Sequence, residues 1–177
     1  MMRISFLGCL VLLPVVVFAS VPSAYRVAGN KYQIPSMLLY AIACQEATRR
    51  GYAHPWPWTA NIAGKAYYFD SRTALYGALK KVLDKGHKNF DVGLMEINWG
   101  YNAGYFGGDL WAATDPYQNI DAGAQHLKSL KDKHGTFEVA VGIYHAGEPD
   151  TLKRRQRATN YRERVRNWLA LNLKRSS

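Results

Sequence analysis

The chain has 177 residues, 48% of them hydrophobic and 20% charged. That is enough to bury one sizeable core and too little for two, and the ordinary proportions exclude a disordered or fibrous polymer. The formal net charge of +10 asks for an acidic partner: nucleic acid, an anionic membrane surface or an acidic cell wall.

The first residues narrow that choice. Arg3 gives a positive start, Ile4 to Phe18 is almost entirely apolar, and no further charge occurs before Arg26. Small residues stand at two cleavage positions, Val17-Phe18-Ala19 and Pro22-Ser23-Ala24. The stretch reads as a secretory signal peptide over residues 1–19, with cleavage between 19 and 24, and 20–177 as the mature domain. It is short for a bilayer span, although a retained anchor is the alternative. Cys9 sits too early for a lipoprotein signal and would leave with it. Cys44 then stands alone in an apolar run, as a small hydrophobe rather than half of a disulfide. The 5 histidines show no metal-ligand spacing, so no metal and no cofactor is expected. Export argues against a nucleic-acid partner, and no nucleic-acid motif is present.

Ile34 to Ala47 reads as a helix with Pro35 in its first turn. It is apolar nearly all round, with Leu38, Leu39, Ile42 and Ala43 on one stripe and Met37, Ala41 and Cys44 on another, which predicts a central buried helix. His54 to Phe69, with its prolines, aromatics and central Gly64-Lys65, reads as a short hairpin. Ser71 caps a helix to about Lys85, stopped by Gly86. Tyr101 to Gly108 reads as a loop. Helices follow over Pro116 to about His134, over Phe137 to Ala146 behind a Thr136 cap, and over about Gln156 to Leu173. Tyr161, Val165, Trp168 and Leu169 make the buried stripe of the last. Arg162, Arg164 and Arg166 lie off it, as a solvated face or an anionic-polymer surface. The expected fold is α+β, mostly α.

Glu46 is the outlier on the central helix. Four residues after Ile42 and three after Ala43, it continues the apolar stripe. A carboxyl on such a face tends to keep its proton and can give it to a leaving oxygen. At the helix end it could equally swing into water. Three further blocks bear on the choice: Asp91-Val92-Gly93-Leu94-Met95-Glu96-Ile97-Asn98, then Asn119-Ile120-Asp121-Ala122-Gly123-Ala124-Gln125-His126-Leu127, then Ala140-Val141-Gly142-Ile143-Tyr144-His145-Ala146-Gly147, with Tyr161-Arg162-Glu163-Arg164-Val165 further on. In this order they resemble the lytic transglycosylases with a goose-type lysozyme-like catalytic domain, over roughly Ser23 to Leu169. That family ends an apolar helix with a catalytic Glu, then carries a Gly-Leu-Met-Gln-Ile block, an Asn-Ile-x-x-Gly-x-x-x-Leu helix and an Ala-x-x-x-Tyr-x-Ala-Gly block.

The resemblance implies a lysozyme-like fold with a small β-hairpin between helices. It implies that Glu46 protonates the bond between N-acetylmuramic acid and N-acetylglucosamine, then accepts the proton of the sugar's 6-hydroxyl, leaving a 1,6-anhydro product. Tyr144 would stand near Glu46 or the substrate's acetamido group, Met95 would floor the sugar site, and Glu96 and Asn98 would touch sugar. Trp58, Tyr67 and Tyr68, with Trp56, would line the groove. Met95, Tyr144 and the hairpin aromatics read equally well as packing. Two positions depart from the pattern. Ala47 stands where the family has Ser, and Thr48 offers a hydroxyl one residue on, about 100° around a helix. Glu96 replaces the family's Gln, and a second carboxylate near Glu46 would raise the proton affinity of the pair. Alternatives are a hydrolase using Glu46 and Glu96 and a non-catalytic wall-binding protein. The Pro57-Trp58 to Phe69 stretch resembles transglycosylases of conjugative elements and secretion systems, which implies a periplasmic monomer acting on peptidoglycan beside such an apparatus, with no stable membrane span after signal removal.

Overall fold

The computed structural model describes residues 21–173. The segment read as a signal, Cys9 included, lies outside the described residues. No helix among those described is long and apolar enough to cross a membrane.

Among the described residues, eight α-helices and a four-stranded antiparallel sheet make the fold, in the order α1 (Ser23–Tyr32), α2 (Ser36–Ala47), β1 (Thr59–Ile62), β2 (Lys65–Tyr68), α3 (Arg72–Asp84), β3 (Phe90–Val92), β4 (Ile97–Asn98), α4 (Trp99–Asn102), α5 (Leu110–Ala113), α6 (Pro116–His134), α7 (Phe137–Ala146) and α8 (Leu152–Leu173). The α+β, mostly helical class predicted from the sequence is the class observed. The helix α2 is central, packed on α1, α6 and α8. Its Leu39, Ala41, Ile42 and Ala43 have no exposure at all, as an all-round apolar helix requires. Pro35 stands one residue before α2 rather than inside it.

The caps read from the sequence at Ser71 and Thr136 form, and Asp115 adds another before α6. Ser71 accepts from the Ala74 N–H, Thr136 from the Val139 N–H, and Asp115 from the Tyr117 and Gln118 N–H groups. These bonds satisfy donors that a helix start otherwise leaves open.

The β-structure is larger than a hairpin. Ala63 and Gly64, both at positive φ, turn β1 into β2, and β1 also pairs with β3, giving the order β2-β1-β3-β4. His54 to Trp58 is not strand; it runs beside the end of α2, where Trp56 N–H donates to Ala47 O at 2.8 Å. Three elements differ from the sequence reading. The helix α1 falls where a cleavage site was weighed, and its buried stripe is only Tyr25, Ala28 and Gly29. Gly29 is needed there, because a Cβ would lie 2.7 Å from Ile34 O. The glycine-rich stretch after β4 folds into α4 and a 3₁₀ turn over Ala103–Phe106. Stacked rings of Phe90, Trp99 and Phe106 anchor it to the core. The last helix starts at Leu152, four residues earlier than expected, with Thr151 accepting from the Arg154 N–H.

Candidate active site

Two sequence blocks lock into each other. The tight turn between β3 and β4 carries Gly93-Leu94-Met95-Glu96, and Glu96 N–H closes it on Gly93 O at 3.0 Å. Asn119 of α6, almost fully buried, holds the turn. Its Oδ1 accepts from Met95 N–H at 2.8 Å, and its Nδ2 donates to Val92 O at 2.9 Å and Ala113 O at 3.1 Å. The glycines permit this approach. A Cβ on Gly93 would lie 2.5 Å from the Asn119 side chain, and one on Gly123 would lie 2.6 Å from that of Met95. The Met95 carbonyl is held too, by Tyr144 Oη of α7 at 2.7 Å. Met95 therefore has both backbone polar groups bound by side chains, and its own side chain is wholly buried. That is core packing beneath the site.

Carboxyl groups gather above this turn. Glu46, penultimate in α2, has a side chain only 12% exposed, and its Oε1 lies 3.2 Å from His145 Nδ1 of α7. The imidazole stacks flat on Tyr161 of α8, centroids 4.3 Å apart and 3° from parallel. Tyr161 is completely buried, and its Oη makes no hydrogen bond of normal geometry among the described residues, although it lies beside the Glu46 carboxyl. Burial, with the Glu46 charge adding to it, pushes the Tyr161 hydroxyl well above the usual tyrosine range. Tyr144 is raised in the same way, by burial first and then by Glu46, Glu96 and Asp91.

Glu96 sits in the left-handed region, at φ 43°. As a residue it is partly exposed, yet its Oε1 is sealed from solvent and has no hydrogen-bond partner among the described residues. The nearby Thr59 hydroxyl gives its proton to Tyr67 O. Burial holds the Glu96 carboxyl well above the ordinary range, and the charges of Asp91 and Glu46 raise it further. Asp91 of β3 is raised too, by burial and then by Glu46, against a 2.8 Å hydrogen bond from Asn98 Nδ2.

This gives a sign for stability. The folded protein keeps a proton on Glu96 that the unfolded chain releases above the ordinary carboxylate range. The Glu96 contribution is therefore full at low pH and is lost as pH rises. Glu96→Gln is expected to melt about 2–6 °C higher than wild type at pH 7 and level with it near pH 4, with activity retained. Paired thermal melts at the two pH values check this; equal melting at pH 7 would mean that Glu96 is ionised in the fold.

Asp91, His145 and Tyr161 were not read from the sequence as site residues, since each is brought to Glu46 only by folding. His145 had one local signal, its place directly after Tyr144. The other sequence-predicted residues have structural partners. Thr48 has left the helix into extended backbone and bridges Pro55, so the turn of a helix does not describe its place relative to Ala47. Asn98 caps α4 and bonds Asn89 and Asp91. Trp58 packs on the core with its Nε1 buried and unpartnered among the described residues. Tyr68 lies under the Arg49 guanidinium, 5.7 Å away, while Tyr67 is exposed under Lys65. The Arg162, Arg164 and Arg166 row divides: Arg162 bonds Thr159, Arg164 lies 5.2 Å over the Tyr161 ring, and Arg166 is exposed. Burial pushes the Cys44 thiol up to about 12, which fits an inert core residue. A groove of about 500 Å³ lined by Tyr40, His54, Pro55 and Leu94 does not include Glu46 among its walls. No cluster of metal-ligating side chains is present among the described residues.

An apolar central helix that ends in a sheltered glutamate, with a small antiparallel sheet and a buried asparagine clamp, makes this a lysozyme-like domain. The chain belongs to the transglycosylase SLT domain family, whose model matches residues 23–167. No curated protein and no solved structure matches the chain. The family is that of the peptidoglycan lytic transglycosylases.

Proposed function

We propose that the protein cleaves the β-1,4 bond between N-acetylmuramic acid and N-acetylglucosamine, with Glu46 as its single acid and base and a 1,6-anhydro sugar as product. The observation that carries this reading is the pairing of sheltered Glu46 with His145. Asp91 accepts a hydrogen bond from Asn98, and burial favours the neutral form of Glu96. Glu46 has its own partner in His145 while Glu96 is held toward its neutral form, which supports the intramolecular route, in which one group serves as acid and then as base. Glu46 protonates the leaving oxygen, the substrate's acetamido group supports the anomeric carbon, and Glu46 then takes the 6-hydroxyl proton as that oxygen attacks. Holding the internal nucleophile close supplies much of the rate. In this reading Tyr144 keeps the turn under the site and offers its oxygen lone pair to the substrate, and Tyr68 and Trp58 border the groove.

Residues 1–19 serve as the export signal in this reading, which puts the mature monomer in the periplasm, on glycan strands that it opens for a conjugation or secretion apparatus. Mass spectrometry of soluble products from sacculi tests the chemistry. Anhydro-muropeptides are expected. Reducing-end products would replace the reading with hydrolysis, and tight binding without products would make the chain a wall-binding protein.

A further inference from the structure

We propose that His145 fixes which oxygen of Glu46 carries the catalytic proton, and so acts as a positioning residue for the acid and base. The inference rests on Glu46 as the catalytic group.

The imidazole is held in a plane it cannot easily leave. Tyr161 stacks flat against it, and Tyr161 is itself immobilised by complete burial, with Arg164 over its ring. Close packing of this kind leaves few rotamers open. The plane aims Nδ1 at Glu46 Oε1 at 3.2 Å. His145 is the one partner of the Glu46 carboxyl within normal hydrogen-bond geometry among the described residues, with the Tyr161 hydroxyl lying beside it. The charged and titratable groups around His145 are Glu46 from α2, Asp91 from β3, and Tyr161 and Arg164 from α8. Facing a carboxylate, the favoured tautomer has its proton on Nδ1, which donates to Oε1.

An oxygen that accepts this bond is the poorer place for a proton. Glu46 therefore binds its proton on Oε2, the oxygen left for a sugar. In the first step the Oε2 proton passes to the glycosidic oxygen as the C1–O bond breaks. The carboxylate that forms is stabilised by the Nδ1–H already in place. In the second step Oε2 takes the proton of the 6-hydroxyl as the new C1–O6 bond closes. His145 keeps its own proton throughout, and the Glu46 proton is restored.

The plain alternative is that His145 only fills space against Tyr161. Two substitutions separate the roles. His145→Asn puts an amide N–H where Nδ1 lies but loses the ring. His145→Phe keeps the ring and the stack but loses the donor. Both are measured as mature protein on soluble glycan chains, with kcat, KM and melting temperature, beside Glu46→Gln. The Asn variant is expected within about threefold of wild type, and the Phe variant to lose roughly tenfold to a hundredfold in kcat at unchanged KM. His145→Ala stands in if the Phe variant does not fold, with the same loss expected. A fully active Phe variant, or an Asn variant as impaired as Phe, overturns the proposal while an inactive Glu46→Gln leaves the reading of Glu46 intact. An active Glu46→Gln would overturn both.

Discussion

Glu46→Gln is expected to lower the rate of anhydro-product release by roughly 10²–10⁴-fold, the range a positioned acid or base contributes. The amide keeps the size of the carboxyl and its Oε1 acceptor, so His145 keeps its partner. It supplies no proton to the leaving oxygen and accepts none from the 6-hydroxyl. In the proposed reaction one group serves both steps, so no second residue takes over half of the cycle. The fold should not suffer. The Glu46 charge raises Glu96, Asp91, Tyr144 and Tyr161, and its removal relieves all four. Product release followed by chromatography, with circular dichroism and pull-down on sacculi as controls, reads the effect. Undiminished turnover in a folded variant would sink the assignment of Glu46.

Asn119→Ala is expected to destabilise the protein by about 3–5 kcal/mol. The side chain makes three hydrogen bonds to the backbone and is 1% exposed. Its loss leaves one N–H and two carbonyls unsatisfied in the interior, at about 1–3 kcal/mol for each buried group left without a partner, with some relaxation. For a domain of this size that lowers the melting temperature by about 10 °C or more. Activity should fall with it, since the clamp holds the β3–β4 turn that packs beside Glu46. Asn98→Ala, which removes a more exposed cap, is the contrast, at about 1 kcal/mol. Urea unfolding of the two variants compares them. A loss below about 1 kcal/mol for Asn119→Ala would show that the turn holds itself.

The two blocks that stand out in the sequence, Gly93 to Asn98 and Asn119 to Leu127, were legible as patterns and not as a mechanism. Their glycines and asparagine make sense only together. Gly93 clears the Asn119 side chain, Gly123 clears Met95, and Asn119 binds the turn between them. Met95 and Tyr144 were read as site residues or as packing. The structure gives Met95 a fully buried side chain, and its carbonyl receives the Tyr144 proton.

The sequence by itself determined what depends on near neighbours along the chain. Caps at Ser71 and Thr136, the stop at Gly86, and the all-apolar character of α2 follow from hydrogen bonds and side-chain periods spanning a few residues. So does the outlying position of Glu46. Only the tertiary structure decided what depends on distant ones. The helix α1 has too narrow an apolar stripe to announce itself and forms against α2 and α6. The ring of Trp99 folds a glycine-rich loop by stacking between Phe90 and Phe106. His145 reaches Glu46 across 99 positions of sequence, and Tyr161 holds it there. Such contacts follow from how helices pack, and no local rule of spacing encodes them.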